Sequence, residues 1–315
     1  MKLPAILVIP VLFLVTVARA QTSPRPSVDQ VIDQAAAQTK IYIDTFKNLL
    51  ADETKTFEVY NKDGEVKKRR NVVSSFIVYQ FAKDQNQLNE YRNVISVDGK
   101  PVGNADKRAQ NFFEEIQRVQ NSQAELQRLR DESLRYDQEL AISGLTLFQS
   151  LALDPALRPY FQYRLETDEA IDGHPVYVVS YRQTKESPYI RINDNMALAT
   201  GITQNYDLDT DRDVPMNARL CGRLWIDAQN FQIWREHREL TVQPEGFTEP
   251  AVAIENDFEY QSSEFGIRTP KRITHTQYRV RVKDRQTQKE VKVTFEYSKF
   301  SKPDVEVKSG EVKQP

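Results

Sequence analysis

The sequence predicts an α+β protein: a large curved antiparallel sheet, an incomplete barrel, covered by an N-terminal helix and a long central helix. Three observations predict this class. Apolar residues recur at three- and four-residue steps in two stretches, residues 28–50 and 106–142. Most of the other segments alternate apolar and polar residues. Short turns join these segments, so the order helix, strands, long helix, many strands is typical of one-faced sheets that need a helical cover.

The first twenty residues have the three-part layout of a secretory signal peptide. Lys2 gives a positive start, residues 3–17 are almost wholly apolar, and Ala18 and Ala20 are the small residues that precede a cleavage site. The apolar run is shorter than the ~20 residues that span a membrane as a helix. We therefore expect cleavage after Ala20, no transmembrane segment in the mature chain, and a periplasmic or secreted location.

Residues 21–27 are a polar, proline-containing spacer, and the helix that follows begins with a capping box. Ser27 is the expected N-cap and Gln30 stands three residues later. The second helical stretch, 106–142, has a narrow apolar stripe with Phe112 and Leu129 in it, so we expect it to lie along a surface.

Period-two alternation identifies the strands. Two examples have clear faces: Val252, Ile254, Phe258 and Tyr260 share one face, and Val291, Val293, Phe295 and Tyr297 share another, opposite Lys292, Thr294, Glu296 and Ser298. One-sided alternation predicts an antiparallel sheet with one wet face. Expected strands are 56–60, 65–71, 72–81, 91–97, 160–167, 170–181, 222–227, 231–242, 252–261, 268–283, 290–300 and 305–307. We predict one domain over residues 28–315, with an irregular insertion at 183–219.

Composition and charge limit the classes of partner and chemistry that we expect for this protein. The 315 residues carry a formal net charge of −2, which gives no global attraction to nucleic acid. The one cysteine, Cys221, cannot form an internal disulfide, and we expect it to be a small buried residue beside Leu220. No nucleophile elbow, phosphate-binding glycine loop or dinucleotide motif is present in the sequence. We therefore expect no cofactor and no enzymatic activity.

Two short stretches resemble the LolA/LolB lipoprotein-carrier superfamily, which includes RseB-type sensor domains. They are Gly222-Arg223-Leu224-Trp225-Ile226-Asp227 with the following 231–235, and the strand–Asp172-Gly173–strand step at 171–179. The resemblance implies an incomplete barrel whose concave apolar face receives acyl chains under covering helices. Export without a lipidation cysteine at the cleavage site distinguishes the chain from an anchored acceptor of the LolB kind.

Large aromatic residues of the later strands are the candidate ligand-binding positions. Each of them fits either a filled core or the lining of a lipid cavity, and an acyl chain needs no polar motif because each buried methylene contributes about 0.8 kcal/mol. The candidate lining residues are Trp225, Trp234, Phe258, Tyr260, Phe295 and Tyr297.

Other polar groups have simpler interpretations. The run Asp207 to Asp213 begins like a calcium loop but has Arg212 at the sixth position and Ala218 at the twelfth, so a solvated acidic loop is favoured. His174, His237 and His275 show no metal-ligand spacing, although His237 and His275 fall on strands that could be neighbours. We expect no metal site. The basic run 67–70 fits a solvated edge strand, or a contact with anionic headgroups or a partner.

Three functions remain. The first is an exported soluble protein that binds lipid or the acyl chains of a lipoprotein in an apolar half-barrel cavity. The second is an envelope interaction, sensor or scaffold module with a protein partner and no lipid ligand. The third is an enzyme of unrecognised type, which would need polar groups clustered in a pocket.

Overall fold

A computed structural model describes residues 25–302, apart from 48, 82–83, 119–121, 138–144, 148, 193–203, 207 and 209–215. The predicted signal peptide, the expected strand 305–307 and the acidic run after position 207 lie outside the described residues, except for Leu208. No helix within the described part of the chain is long and apolar enough to cross a membrane.

The described helices and strands follow the predicted order. The helices are α1 Val28–Phe46, α2 Ala105–Arg118 and α3 Ser122–Leu134. The strands are β1 Leu50–Tyr60, β2 Val66–Phe81, β3 Asp84–Val97, β4 Lys100–Pro101, β5 Phe161–Leu165, β6 Glu169–Ile171, β7 His174–Gln183, β8 Ile190–Ile192, β9 Gln204–Tyr206, β10 Met216–Asp227, β11 Ile233–Pro244, β12 Ala251–Ser262, β13 Arg268–Arg281 and β14 Gln286–Ser301.

Twelve of these strands form one antiparallel sheet. Its order is β4-β3-β2-β1-β14-β13-β12-β11-β10-β7-β5, with β6 paired to β7. Within the described residues, the first and last strands, β4 and β5, do not pair with each other, so the sheet is an open, incomplete barrel. The predicted fold class is thereby confirmed. Strands β8 and β9 form a separate parallel pair within the stretch predicted to be irregular.

Alternating burial gives the sheet two faces of different character. In β14, Val291, Val293, Phe295 and Tyr297 are buried while the residues between them are more exposed, as the sequence pattern predicts. We call the face that carries these four side chains the inner face, and the opposite one the outer face. The inner face belongs to the main hydrophobic core, which extends from α1 across the sheet.

The helices cover different faces of the sheet. Helix α1 packs on the inner face, where Phe46 lies 6.1 Å from Phe76 of β2 between ring centroids. Helix α2 instead packs on the outer face, where Phe112 stacks on Tyr91 of β3 at 4.2 Å. Neighbouring residues of β2 therefore face opposite ways, Phe76 toward α1 and Ile77 toward the α2–α3 cluster.

Within the described residues, the expected long helix at 106–142 is represented by two parts, α2 and α3, and α3 ends at Leu134. The end has a structural reason, because α3 lies against the edge strand β3 and the chain must then turn inward. The Ser133 hydroxyl accepts a hydrogen bond from the backbone N–H of Arg92 on β3 at 3.0 Å. Four residues later, Asp137 pairs with the buried Lys55 of β1 at 2.8 Å.

Candidate functional site

The inner face beneath α1 brings together four of the six predicted lining residues. Phe258 and Tyr260 come from β12, and Phe295 and Tyr297 from β14. All four are buried, with exposed fractions of 1–5%. Together they form an aromatic floor at the centre of the sheet.

Helix α1 occupies the space above this floor. Tyr42 and Phe46 stack with centroids 4.8 Å apart, and Tyr42 meets Tyr260 edge-on at 6.3 Å. Closer to its N-terminus, α1 also buries Val31, Ile32 and Ala35. Side chains of α1 thus cover this part of the described inner face, where the sequence left a cavity and a filled core as alternatives.

The start of α1 is fixed by the capping box that the sequence predicts. The Gln30 backbone N–H donates to the Ser27 hydroxyl at 3.3 Å, and the Ser27 N–H donates to the Gln30 side chain at 2.9 Å. Two exposed ion pairs hold the same end against the sheet, Arg25 with Asp168 at 2.6 Å and Arg158 with Asp33 at 2.7 Å. Exposed pairs of this kind contribute about 0–1 kcal/mol each, so they orient the helix more than they anchor it.

A buried charge cluster lies beside the aromatic floor. The Arg92 guanidinium contacts the Glu53 carboxylate at 2.7 Å and Glu90 at 2.9 Å, and all three side chains are at most 3% exposed. Burial raises the pKa of Glu53, but Arg92 and Lys55 outweigh it and hold that pKa below its usual value. Burial and Arg92 lower the pKa of Lys55.

A second buried charge cluster joins β11 to β7. The Arg238 guanidinium contacts Glu236 at 2.9 Å, and the Tyr181 hydroxyl donates to Glu236 at 2.6 Å. Arg238 also lies 4.7 Å from the centroid of the Phe258 ring. The floor of the site therefore carries fixed charge next to its aromatic surface.

The segment 145–153 connects α1 to both charge clusters. The Tyr42 hydroxyl donates to the Thr146 carbonyl at 2.9 Å, and the Thr146 hydroxyl lies 2.7 Å from that of Tyr297. Further along, the Gln149 carbonyl accepts from Arg238 at 3.2 Å. This segment is the second cover of the inner face, and the sequence analysis did not single it out.

The sequence carries one signal for these buried charges: they stand in phase with the apolar residues of their strand. In β1 the buried positions alternate, and Glu53 and Lys55 fall on the same face as Ala51, Phe57 and Val59. A charge in phase with apolar neighbours on a one-faced strand is expected to be buried and paired. The partner Asp137 gave no such signal, because it stands after the end of a helix.

The two tryptophans occupy a different region from the other four candidates. Trp234 packs with Ile171, Val176 and Val178 in a separate cluster, and Trp225 is half-buried against it. The Trp234 indole donates to Asp227 at 3.0 Å, and the Arg268 guanidinium lies 3.3 Å from its ring centroid.

The outer face carries a polar groove of about 760 Å³ that crosses the strands from β2 to β10. Acidic, basic and small polar residues form most of its lining. The outward-facing residues are Thr56, Glu58, Arg69, Asn71, Trp225, Arg235, His237, Asp257, Glu259, Arg272, Thr274, Lys292, Thr294 and Glu296, and the inward-facing Glu236 and Phe258 also border the groove. This is the wet face predicted from strand alternation.

The two strand histidines lie on opposite faces of the sheet. His275 is buried on the inner side, where its Nδ1 lies 2.7 Å from the Asn256 side-chain oxygen, and burial lowers its pKa to about 4. His237 is half-buried in the outer groove, with Nδ1 2.8 Å from Asp257 and Nε2 3.2 Å from Glu239. The hydrogen bond with Asp257, aided by Glu239, raises the pKa of His237 to about 9.

Cys221 is on the outer face and half-buried, so the expectation of full burial was wrong. Odd-numbered residues of β10 point outward, because the inward positions are held by Leu220, Leu224 and Ile226. Burial and the Glu239 carboxylate, 3.7 Å from its sulfur, raise the pKa of Cys221 to about 11.

The basic run 67–70 lies where β2 extends past β3. Residues 66–71 pair with β1 on one side, whereas the register between β2 and β3 begins at Val72 with Val97. Arg69 forms an ion pair with Glu58 at 2.5 Å. Within the described residues, the side of β2 that faces β3 is therefore a strand edge along this run, which agrees with the solvated-edge interpretation.

Comparisons with known proteins assign no family to the chain. No protein-family model matches the chain, and no curated protein matches it. Among solved structures, it is similar to a DUF1329 family protein from Desulfovibrio piger, with 13% identity and a TM-score of 0.33 over 90% of this chain and 95% of the other. It is also similar to a LolA superfamily protein from Nitrosomonas europaea, with 11% identity and a TM-score of 0.32 over 89% of this chain and 96% of the other. The fold itself is established by the sheet topology described above.

Proposed function

We propose that the protein is exported and binds lipid or the acyl chains of a lipoprotein. The acyl chain would bind on the inner face when α1 moves aside. The observation that carries the proposal is the position of Tyr42 and Phe46. They lie over the aromatic floor of an open sheet, between Tyr260 and Phe76. Their apolar side chains fill the volume that an acyl chain would take.

The energetics favour exchange of one apolar occupant for another. Each buried methylene contributes about 0.8 kcal/mol, so eight of them contribute about 6 kcal/mol. The helix is held by its apolar stripe, the Tyr42–Thr146 hydrogen bond and two exposed ion pairs. An acyl chain that replaces the stripe compensates for its loss.

The proposed lining comprises Phe258, Tyr260, Phe295 and Tyr297, together with the face that α1 would uncover. The buried Arg92 and Arg238 lie beside this floor, but Glu53 and Glu236 already neutralise them. We therefore propose that burial of the ligand's acyl chain supplies most of the binding affinity. Export through cleavage after Ala20 would place this activity in the periplasm of a diderm bacterium.

Native mass spectrometry of the mature protein, purified without detergent after expression with its own leader, tests the proposal. Organic extraction and lipid analysis of the same preparation would identify the ligand class. We expect a population heavier by the mass of one lipid and uptake of a fluorescent fatty acid with saturation. Reproducible absence of both results would contradict the proposal.

A second candidate function is an envelope protein-interaction module that uses the outer groove, and the packing of α1 on the inner face favours it. Acidic and basic side chains alternate there, among them Arg235, Glu259 and Lys292. Charge reversal at Arg235, Arg235→Glu, would weaken a partner complex through this groove and leave acyl-chain uptake unchanged. The opposite result would favour the inner-face function.

A further inference from the structure

The outer groove contains a group of metal-binding side chains that the acyl-chain proposal does not use. One ligand atom each from His237, Glu255 and Asp257 lie within 4.8 Å of one another. His237 stands on β11 and the other two on β12, where the register pairs His237 directly with Asp257. All three side chains are half-buried, so they are partly fixed and still accessible.

Neighbouring side chains orient this group as they do in metal sites. The Nδ1 atom of His237 lies 2.8 Å from Asp257, and the Nε2 atom lies 3.2 Å from Glu239. A metal-bound histidine commonly donates its other ring N–H to a carboxylate, which fixes the tautomer. The Tyr278 hydroxyl donates to Oε2 of Glu255 at 2.8 Å, so this carboxylate is positioned while its other oxygen can accept a cation.

Charge around the group favours a dication. Three carboxylates, Glu239, Glu255 and Asp257, lie around one imidazole. On the neighbouring strand β10, Arg223 stands opposite His237 in the register and is paired with Glu166 at 2.9 Å. These three carboxylates carry more negative charge than one imidazolium can neutralise.

We propose that His237, Asp257 and Glu255 bind a divalent transition-metal cation of the zinc class. An imidazole with two carboxylates is a donor set that suits zinc, whereas calcium prefers oxygen ligands alone. Tetrahedral zinc needs its ligand atoms about 3.3 Å apart at bond lengths near 2.0–2.1 Å, so small side-chain rotations close the site. Three protein ligands leave a fourth position open toward the groove. This site is independent of the acyl-chain function.

Equilibrium dialysis of the full mature chain against zinc chloride, followed by metal quantification, measures the stoichiometry and affinity. We expect one zinc per chain in the wild type. His237→Gln, Asp257→Asn and Glu255→Gln should each weaken binding at least tenfold, and Glu239→Gln by about 10–100-fold through the orientation of His237. His174→Gln, at an exposed histidine outside the group, and Glu296→Gln, elsewhere in the groove, are the matched controls and should retain wild-type affinity.

Cobalt(II) absorption gives a second readout, since its visible bands report imidazole and carboxylate coordination. The bands should appear in the wild type and disappear in His237→Gln. Far-ultraviolet circular dichroism checks that each variant is folded, and three separate ligand positions keep the test valid if one variant is not. Absence of zinc binding in the wild type, unchanged affinity in folded His237→Gln, or calcium binding as tight as zinc binding would overturn the proposal.

Discussion

The Tyr181 hydroxyl reaches Glu236 directly across Gly222, at a place where the backbone leaves no room for a side chain. The hydrogen bond is 2.6 Å long. A Cβ atom built on Gly222 would lie 2.2 Å from the His237 carbonyl oxygen and 2.5 Å from the Tyr181 hydroxyl. Gly222 is therefore required by the polar bridge between β7 and β11 over β10, and not by a turn.

Gly222→Ala should destabilise the protein. The added methyl group collides with backbone as well as with the tyrosine, so we expect a loss of about 3 kcal/mol in the free energy of unfolding, the upper part of the range for overpacking. Urea denaturation followed by tryptophan fluorescence measures it. Gly103→Ala is the control, because no atom lies within 4 Å of a Cβ built there. Equal stability of the two variants would contradict the steric interpretation.

The buried pair Lys55–Asp137 should show strong energetic coupling. Its atoms are 2.8 Å apart and its side chains are 1% and 3% exposed. Lys55→Met or Asp137→Asn alone leaves a buried group without its partner, and we expect each to cost about 3–5 kcal/mol. The double variant should be more stable than the sum of the two losses implies.

A double-mutant cycle in urea measures this coupling, and a surface pair provides the comparison. Arg272 and Glu296 are 2.9 Å apart but about half exposed, so their coupling should be about 0–1 kcal/mol. Additive effects of Lys55→Met and Asp137→Asn would show that the buried pair contributes no interaction of its own.

The sequence predicted what depends on local periodicity and missed what depends on distant contacts. The alternation of Val291 to Tyr297 fixes which side chains face inward, because a strand has a period of two. The end of α3 could not be predicted in the same way, since the partner of Asp137 is Lys55, 82 residues earlier in the chain. The separate roles of α1 and α2 on opposite faces depend on sheet order, which periodicity does not contain.

The candidate site shows the same division. Phe258, Tyr260, Phe295 and Tyr297 meet on one face because each stands in phase on its strand. Trp225 and Trp234 satisfied the same apolar criterion but pack elsewhere. Trp225 stands out of phase with the buried Leu224 and Ile226, and Trp234 lies at the register shift on the β10–β11 ladder. A bulge of this kind cannot be located from alternation alone.

His275 should make stability depend on pH between about 4 and 6.5. Its pKa is lowered by burial from 6.5 to about 4 in the folded state, and its register neighbours Asn256 and Val293 carry no charge. In this window the unfolded chain binds a proton that the folded chain does not, so stability falls as the pH falls. The expected contribution is about 1.4 kcal/mol per pH unit.

Urea midpoints measured across this pH window test the linkage. His275→Gln removes the titrating group and should make the fall in stability between pH 6.5 and 4 shallower than in the wild type. His174→Gln, exposed at the start of β7, should leave the slope as it is. An unchanged slope in His275→Gln would exclude His275 as its source.

The aromatic pair Tyr42 and Phe46 of α1 provides the most direct test of acyl-chain binding on the inner face. Phe46→Leu replaces one of the two rings above the floor with a smaller side chain, so it should destabilise the fold modestly. It should also increase the affinity for a fluorescent fatty acid, because the ligand then displaces less apolar packing. Phe112→Leu is the matched control, since Phe112 is equally buried but packs on the outer face against Tyr79 and Tyr91. It should lose similar stability without any gain in binding. If both substitutions raise fatty-acid uptake equally, general loosening of the fold is the cause; if only Phe46→Leu does so, the ligand enters where the helix now lies.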